Sequence, residues 1–368
     1  MKILVQLNHP AHFHYYRHAI ENWKMRGHDV VVLIKTKDIL EQLLIEAGVP
    51  YHNINVTVHR KNKVGFLWDM LVRDVKVLHY CLKNKIDILT GSSAEVAQVG
   101  WLLRRPAICT GEDDAAVVPN YVKCTAPFLQ VRLTPTTCNN GIMEKKAIKY
   151  ASYQELAYLH PHHFSCDPAV VDKYGIDKSE PYFILRFASL SAHHDKGIKG
   201  INTKVAQTLI DLLSPYGKVY ITSERELEPQ FESYRIRINP LDMHHIMAFA
   251  KLYIGDSQTM AAEAGVLGVP FIRYNDFVGR IGYLKELEEV YRLGYGIKAS
   301  ASNSQDNLIL TVKELLLTPN LREEWQSRRK RMLSEKIDYA LFLTWFIENY
   351  PSSAETMRAN PDYQLRFK

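Results

Sequence analysis

The stretch that decides the fold is residues 253–270, which read Tyr-Ile-Gly-Asp-Ser-Gln-Thr-Met-Ala-Ala-Glu-Ala-Gly-Val-Leu-Gly-Val-Pro. A short apolar strand runs into a small polar turn at 255–259, and an alanine-rich helix follows that stops at Gly268. A strand, a polar turn and a helix in this order predict a βαβ unit. The first N–H groups of such a helix point at one spot, which suits a phosphate. A well-capped helix without any ligand has the same pattern, so both interpretations stand at this point.

Apolar strands and amphipathic helices alternate on both sides of this stretch. We predict strands at 2–7, 30–34, 86–89, 107–109, 182–185, 218–221 and 236–238. This spacing predicts parallel sheets covered by helices on both faces. The alternation blurs between about 145 and 180.

The length of 368 residues exceeds what one core usually supports, so we expect two domains. The first is 1–160 and the second is 161–335. Residues 336–368 form a C-terminal helical segment that we place against the first domain.

The positive charge of the chain is concentrated in its first part. The net charge is +6, and residues 1–150 hold 20 Lys or Arg against 13 Asp or Glu. This distribution fits an anionic substrate, an acidic polymer or an anionic membrane surface, and a solvated basic face explains it equally well. The chain has no basic-aromatic motif of an RNA-binding module, so we expect no nucleic acid partner.

The five cysteines and the N-terminal residues indicate the compartment. The cysteines are odd in number and contain no CxxC pair, which is typical of reduced thiols rather than of a disulfide frame or a zinc site. Polar residues interrupt the N-terminus too early for a signal-peptide core, and no apolar run is long enough to span a bilayer. We therefore expect a cytoplasmic protein.

Four short motifs carry a resemblance to known proteins. They are Pro10-Ala11-His12-Phe13 with the turn at 25–30, residues 153–160, Leu185-Arg186-Phe187 with His193-His194-Asp195, and the motif at 255–270. The first is similar to a loop and turn of MurG-type transferases, and the last to the nucleotide loop of UDP-N-acetylglucosamine 2-epimerases. The other two resemble the DUF354 family. The chain thus resembles DUF354 and, beyond it, α/β enzymes whose two Rossmann-like domains face a cleft, the glycosyltransferase B type.

The resemblance implies roles for the residues of the 255–270 motif. Ser257 takes the place of a phosphate-binding serine, and Glu263 that of a ribose-binding glutamate. The glycine pair of the epimerases is replaced here by Gln258 and Thr259. Glycines let a backbone approach a pyrophosphate closely, so these side chains either narrow the site or add hydrogen bonds of their own. We include all four residues in the predicted binding site of a nucleoside-diphosphate sugar, with a UDP-sugar favoured.

Two groups of the first half are candidate catalytic residues. His12 follows the first strand, at the edge of the sheet where α/β proteins bind ligands. It is a candidate general base for an acceptor hydroxyl, or a hydrogen-bond donor to a sugar or phosphate oxygen. Glu112 and Asp113 follow the strand at 107–109 and are candidate bases. Ser92 stands where the epimerases have an aspartate, which argues against epimerase chemistry. A helix cap and a solvated acidic loop are the alternative explanations.

Several cations of the second half are candidates for neutralising the leaving diphosphate. They are Arg186, His193, His194, Arg225 and Arg273, and each is also a plausible surface charge. This fold group usually works without a catalytic metal, and we expect neither a metal nor a cofactor.

Residues 59–68 combine a basic run with an apolar run. A peripheral membrane contact, at the inner face of the membrane, is one interpretation, and a loop before a core helix is the other.

The sequence thus favours a glycosyltransferase that uses a nucleoside-diphosphate sugar in surface polysaccharide or glycolipid synthesis. The acceptor is unknown, and a lipid-linked one is considered. A nucleotide-sugar epimerase or hydrolase, and a non-catalytic nucleotide-sugar-binding protein, stay open.

Overall fold

The computed structural model describes residues 1–37, 39–55, 63–188 and 199–368. It divides into two compact units. The first unit consists of Met1–Tyr158 together with Lys336–Lys368, and the second consists of Leu159–Glu335.

The first part of the chain alternates strands and helices. Its elements are β1 (Lys2–Leu7), α1 (Pro10–Met25), β2 (Asp29–Ile34), α2 (Leu40–Glu46), β3 (His52–Asn53), α3 (Lys63–Asn84), β4 (Ile88–Gly91), α4 (Ala94–Leu103), β5 (Ala107–Thr110), α5 (Pro119–Thr125), β6 (Val131–Pro135), β7 (Ala147–Tyr150) and α6 (Leu156–Leu159). Within the described residues these strands form one parallel sheet of seven, in the order β3-β2-β1-β4-β5-β6-β7. The chain reverses its direction across the sheet between β1 and β4, which is where such sheets bind ligands.

The second unit also alternates strands and helices, around a smaller parallel sheet. Its elements are α7 (Pro168–Lys173), β8 (Tyr182–Phe187), α8 (Thr203–Leu213), β9 (Lys218–Ser223), α9 (Met243–Phe249), β10 (Leu252–Gly255), α10 (Gln258–Leu267), β11 (Phe271–Tyr274), α11 (Gly282–Lys285), β12 (Gly294–Ile297), α12 (Ser304–Leu317) and α13 (Leu321–Glu335). The described strands form a parallel sheet of five, in the order β12-β11-β10-β8-β9. The direction reverses between β8 and β10, so the motif at 255–270 lies at this reversal point.

The C-terminal segment belongs to the first unit. It contains α14 (Tyr339–Glu348) and α15 (Ser352–Ala359). The indole Nε1 of Trp23 on α1 donates to the carbonyl of Thr344 at 3.3 Å, and Glu348 accepts hydrogen bonds from Arg26 at 2.6 Å. The ring of Tyr339 stacks on Tyr150 of β7 with centroids 4.3 Å apart. These contacts bury α14 against α1 and β7.

The predicted parallel α/β architecture is confirmed, with local differences. The strand predicted at 236–238 is wrong, because these residues pair with β9 only at their start, where an isolated bridge joins Arg235 to Ile221 and the N–H of Ile236 donates to the Ile221 carbonyl. Strands β6 and β7 were not predicted. Their sequences place Arg132 and Lys149 within the strands, which breaks the apolar run of a parallel strand.

Two further observations concern helices. Residues 304–348 form three helices in succession, α12, α13 and α14. Among the residues that the structure describes, no helix combines the length and the apolar character needed to cross a bilayer.

Candidate functional site

The reversal point of the second sheet is organised by one buried carboxylate. Asp256 is 1% exposed, and its two oxygens accept hydrogen bonds from the backbone N–H groups of Ala188 at 2.6 Å and Ile201 at 3.1 Å. The amide of Asn275 donates to its carbonyl at 3.0 Å. Burial raises the pKa of Asp256 to about 6, against the effect of these hydrogen bonds. Asp256 therefore anchors the loops that follow β8 and precede α8 to the end of β10. Sequence reasoning quoted this residue but gave it no role.

Helix α10 begins at the same place with a capped N-terminus. Ser257 is the N-cap, and its hydroxyl accepts from the N–H of Met260 at 3.5 Å. Ser257, Gln258 and Thr259 are all half-buried at this edge. The helix ends as predicted at Gly268, whose φ of +73° is the left-handed conformation that glycine adopts without strain. The three polar residues are thus brought together at the reversal point.

The predicted arginines line the strands on either side of this turn. In the register of the sheet, Gly255 of β10 lies beside Arg186 of β8 and Arg273 of β11. The guanidinium of Arg186 binds Glu224 at 2.5 Å. Arg225 donates to the carbonyl of Ile201 at 2.7 Å. Arg186 and Arg225 therefore lie at the carboxyl edge of the sheet, and each of them has a protein partner.

A hydrogen bond joins the side chains of Arg273 and Gln258. Arg273 is fully buried and donates to the side-chain oxygen of Gln258 at 2.7 Å and to Glu288 at 2.9 Å. Burial raises the pKa of Glu288, although the Arg273 cation acts in the opposite direction. Gln258 is therefore held by a buried ion pair. Glu288 was not anticipated, because it lies far along the chain in the π turn Glu286–Val290.

Glu263 lies inside the unit rather than at its surface. It is 4% exposed, and its carboxylate is 3.0 Å from Nε2 of His244, which is 5% exposed. His244 belongs to α9 and was not predicted. His193 and His194 lie outside the described residues.

A cavity adjoins the reversal point of the second sheet. Its volume is about 530 Å³, and its lining includes Lys199, Asn202, Arg225, Tyr274 and Ser304. These residues come from the carboxyl ends of β9 and β11 and from the loops before α8 and α12. The cavity is therefore placed at the edge where parallel α/β sheets bind ligands.

In the first unit, His12 lies in the first turn of α1 next to the reversal point of the larger sheet. Its Nδ1 accepts the N–H of Asn8 at 3.2 Å, so a neutral ring carries its proton on Nε2. Burial lowers the pKa of His12 to about 3, and the nearby His9 and Lys37 act in the same direction. His12 is thus neutral near neutral pH, and its ring is arranged as an Nε2–H donor. His9 caps α1 through its own Nδ1.

The acidic residues after β5 are held by backbone contacts. One oxygen of Glu112 accepts from the N–H of Gln154 at 3.3 Å. The carbonyl of Asp113 accepts from the buried Arg132 at 2.9 Å. Both side chains are half-buried. Their predicted catalytic roles stay predictions.

A cluster of hydroxyl groups beneath this edge was missed by sequence reasoning. The hydroxyl of Tyr15 is 2.6 Å from both Ser92 and Thr110, and that of Tyr16 is 2.6 Å from Thr90. Burial raises the pKa of Tyr15 and Tyr16, so both stay protonated. The signal was available, because two tyrosines follow the histidine run and a threonine stands at or near the end of each of two apolar strands. Ser92 is a member of this cluster.

The family model described as "Protein of unknown function (DUF354)" matches residues 1–287. The chain belongs to this family. The resemblance that the motifs suggested is therefore confirmed. No curated protein matches the chain.

Solved structures with the glycosyltransferase B fold resemble this chain over nearly its whole length. A UDP-GlcNAc 2-epimerase from Neisseria meningitidis bound to UDP-GlcNAc has a TM-score of 0.64 and 13% identity, and the match covers 98% of this chain and 100% of that one. MurG of Acinetobacter baumannii has a TM-score of 0.60 and 12% identity, with 95% and 99% covered. The spinosyn rhamnosyltransferase SpnG complexed with spinosyn aglycone has a TM-score of 0.60 and 12% identity, with 95% and 100% covered. At these identities the likeness establishes the fold, and the expected fold class is confirmed.

Proposed function

We propose that this protein is a glycosyltransferase whose second unit binds a nucleoside-diphosphate sugar, with a UDP-sugar favoured. The observation that carries the proposal is the turn from β10 into α10 at the reversal point of the second sheet. Helix N–H groups and the positive end of the helix dipole suit a diphosphate there. The fold shared with enzymes of UDP-sugars supports this choice.

Roles for the residues of the second unit follow from the proposal. Ser257, Gln258 and Thr259 contact the diphosphate, and Arg186 and Arg225 offset the charge that develops as the sugar leaves. Arg273, which is buried, acts through Gln258 rather than by direct contact.

Glu263 is proposed to bind the ribose hydroxyls, with His244 fixing the orientation of its carboxylate. Because Glu263 is 4% exposed, this contact requires the ribose to reach a buried oxygen. His193 and His194 are retained as proposed ligands of the diphosphate.

The first unit is proposed to bind the acceptor and supply the catalytic groups. With its pKa near 3 and its Nδ1 engaged by Asn8, His12 fits a hydrogen-bond donor better than a general base. The base that deprotonates the acceptor hydroxyl is then Glu112 or Asp113. The chain is proposed to act in the cytoplasm, in surface polysaccharide or glycolipid synthesis.

Contact with the membrane is proposed through helix α3. Trp68, Leu71, Val75 and Leu82 form a stripe on its surface, and each is at least half exposed, at 53%, 53%, 55% and 62%. Spacings of three, four and seven residues place them along one side of a helix. An exposed apolar stripe that follows the basic run at 59–63 in the sequence fits the surface of an anionic bilayer, as a lipid-linked acceptor requires. Residues 59–62 of this run lie outside the described residues.

Epimerisation or hydrolysis of a nucleotide-sugar is the second candidate. An epimerase shares the fold over 98% of this chain, which favours it. Elimination and re-addition at a sugar need an acid/base pair, and Ser92 offers a hydroxyl that already bonds to Tyr15 and Thr110. Release of free sugar or of an epimer in the absence of any acceptor would favour this candidate over transfer.

Titration calorimetry with UDP and UDP-sugars tests the proposal. The wild-type protein is expected to bind UDP, and Glu263→Gln, which can keep a hydrogen bond to His244, to bind it at least about tenfold more weakly without losing melting temperature. Glu263→Ala loses both the affinity and stability, because it leaves His244 buried without this partner. Glu314→Ala, an exposed position on α12, is the control and leaves both unchanged. A wild-type protein that binds no nucleoside diphosphate would contradict the proposal.

A further inference from the structure

The side chain of Gln258, at the start of α10, is held in one orientation. Its Oε1 accepts a hydrogen bond from the guanidinium of Arg273 at 2.7 Å. A guanidinium can only donate hydrogen bonds, so the amide atom that faces it must be the oxygen. The Nε2 group with its two hydrogens is therefore turned away from Arg273. Gln258 thus offers hydrogen-bond donors, and no acceptor, on its other side.

The Nε2 group of Gln258 is accessible to a ligand. The residue is half-buried, and within the described residues its Nε2 forms no hydrogen bond. This nitrogen is also absent from the polar atoms that are enclosed without a partner, so it is open to solvent. Gln258 directly follows the N-cap Ser257 of a ten-residue helix. Accessible side-chain donors and the first helix N–H groups therefore share one end of α10.

A buried ion pair keeps Arg273 in place. Arg273 is 0% exposed, and its Nε donates to Glu288 at 2.9 Å. In the register of the sheet Arg273 lies beside Gly296 of β12. A Cβ at Gly296 would come within 2.7 Å of a carboxylate oxygen of Glu288, so only a glycine admits the carboxylate there. Arg273 cannot release Gln258 by moving away without separating two buried charges.

The acceptors of the turn before α10 are occupied by the protein itself. The hydroxyl oxygen of Ser257 accepts from the N–H of Met260 at 3.5 Å. The two carboxylate oxygens of Asp256 accept from two backbone N–H groups, and its carbonyl accepts from the amide of Asn275 at 3.0 Å. These bonds leave the turn with few groups that could accept a hydrogen bond from a ligand.

Three further carboxylates of this region are each paired with a cation or an imidazole. The pairs are Glu224 with Arg186, Glu288 with Arg273, and Glu263 with His244. The fixed groups that remain for a ligand are donors, namely Nε2 of Gln258 and the first N–H groups of α10. The hydroxyls of Ser257 and Thr259 can also turn their hydrogens towards a ligand. Selectivity at this turn then depends on the direction of hydrogen bonds rather than on net charge.

We propose that Gln258 is a specificity-determining residue that restricts the turn before α10 to ligand groups that only accept hydrogen bonds. A diphosphate that is esterified at both ends is such a group, because its oxygens carry no hydrogen near neutral pH. A sugar hydroxyl or a protonated phosphate also donates, and the fixed groups of the turn offer it no acceptor. The inference rests on the proposed function in placing a nucleoside-diphosphate sugar here. Gln258 then adds hydrogen bonds to the site rather than narrowing it.

Titration calorimetry with UDP and with inorganic pyrophosphate tests the inference on two variants. Gln258→Met removes the donors and should bind both ligands about tenfold more weakly than the wild type. Gln258→Glu keeps an acceptor for Arg273 but puts an oxygen in place of Nε2, so it should bind more weakly still. Its melting temperature should nevertheless exceed that of Gln258→Met, which leaves Arg273 with one acceptor fewer. A purely structural role would give affinity and melting temperature the same order in the two variants.

Two variants serve as controls in the same unit. Gln326→Met makes the same substitution at the opposite end of α10, where the amide donates to the carbonyls of Leu267 at 3.0 Å and Gly268 at 3.2 Å. This variant should lose melting temperature and keep its affinity for UDP. Gln230→Glu adds the same charge as Gln258→Glu at an exposed position, and should change neither quantity.

The part played by Arg273 is tested separately, in Arg273→Met combined with Glu288→Leu. The amide of Gln258 can turn freely in this background. Gln258→Met should therefore weaken UDP binding less than it does in the wild type, so that the two effects do not multiply. A multiplicative loss would show that Gln258 and Arg273 act independently.

Two results would overturn the inference, and each leaves the proposed function standing. They are unchanged UDP binding by Gln258→Met and tighter binding by Gln258→Glu than by Gln258→Met. A wild-type protein that binds pyrophosphate, with the expected order of the variants, but does not bind UDP would contradict the proposed function alone. Binding of neither ligand would contradict both.

Discussion

At the carboxyl edges of the two sheets, buried polar groups are paired in different ways, by hydroxyl groups in the first sheet and by charged groups in the second. Beneath the edge of the first sheet lie the neutral hydroxyls of Tyr15, Tyr16 and their partners, which bond to one another. The edge of the second sheet is built on buried charges, with Asp256 holding two backbone N–H groups and Arg273 paired to Glu288. Hydroxyls recognise other hydroxyls, whereas fixed charges and helix N–H groups recognise an anion. The contrast supports an acceptor sugar in the first unit and a diphosphate in the second.

The difference also predicts how each edge responds to substitution. A hydroxyl network loses one hydrogen bond at a time, and its remaining members can rotate. A buried ion pair that loses one partner leaves a charge in a medium of low dielectric constant.

The largest effect is expected for Arg273→Met in the second unit. It leaves Glu288 buried without its cation and should lower the free energy of unfolding by about 3–5 kcal/mol in urea denaturation. Arg273→Met combined with Glu288→Leu should recover most of this loss. Arg235→Met, which breaks a more exposed pair with Glu232, should cost much less than Arg273→Met, because solvent screens the exposed charges. Equal losses at Arg273 and Arg235 would show that the second edge does not depend on buried charge.

A smaller, pH-dependent effect is expected for Asp74→Asn in the first unit. Burial raises the pKa of Asp74 from 3.8 to about 7, and Glu95 acts in the same direction. Between pH 3.8 and about pH 7, Asp74 keeps its proton in the folded protein but loses it in the unfolded one. Rising pH therefore lowers the free energy of unfolding of the wild-type protein. The side chain of Asn does not ionise, so the variant does not lose stability in this way. The variant should match the wild type near pH 4 and be about 1–3 kcal/mol more stable near pH 8.5.

Urea denaturation at both pH values checks the prediction for Asp74. Asp211→Asn, at an exposed position, is the control and should show no such divergence. A difference at Asp74 that does not change with pH would contradict the assigned cause.

Tyr15→Phe should have a mild effect on the first edge. The substitution removes a hydroxyl bonded to Ser92 and Thr110, and these two can still bond to each other at 2.9 Å. We expect a loss of about 1–2 kcal/mol in the free energy of unfolding. Tyr216→Phe, at an exposed position, should cost nothing measurable. A loss at Tyr15 as large as that for Arg273→Met would remove the distinction between the two edges.

The smallest change is expected at His12. Because its pKa lies near 3, ¹⁵N NMR should find the neutral Nε2–H form unchanged between about pH 5 and pH 8. In Asn8→Pro the N–H that fixes Nδ1 is absent, and both tautomers should then be populated. A titration of wild-type His12 within this range would restore the case for a general base.

Much of the fold could be predicted from local pattern. The strand at 2–7, the capped helix of the 255–270 motif and its end at Gly268 all follow from short-range rules of strand length, capping and glycine conformation. Strands β6 and β7 escaped prediction because their burial depends on neighbours distant in sequence. Arg132, for example, is buried in β6, where the backbone carbonyl of Asp113, from another loop, accepts its hydrogen bond.

The alternation of strands and helices, the membership in DUF354 and the position of a polar turn before a helix could all be predicted from the amino-acid sequence alone. These depend on residues near one another along the chain. Only the tertiary structure decided what Gln258 does, since Arg273 and Glu288 come from other elements. It alone revealed that Glu263 faces His244. Long-range packing chooses the partner of each polar group, because burial forces a group to bond with whatever the fold brings beside it.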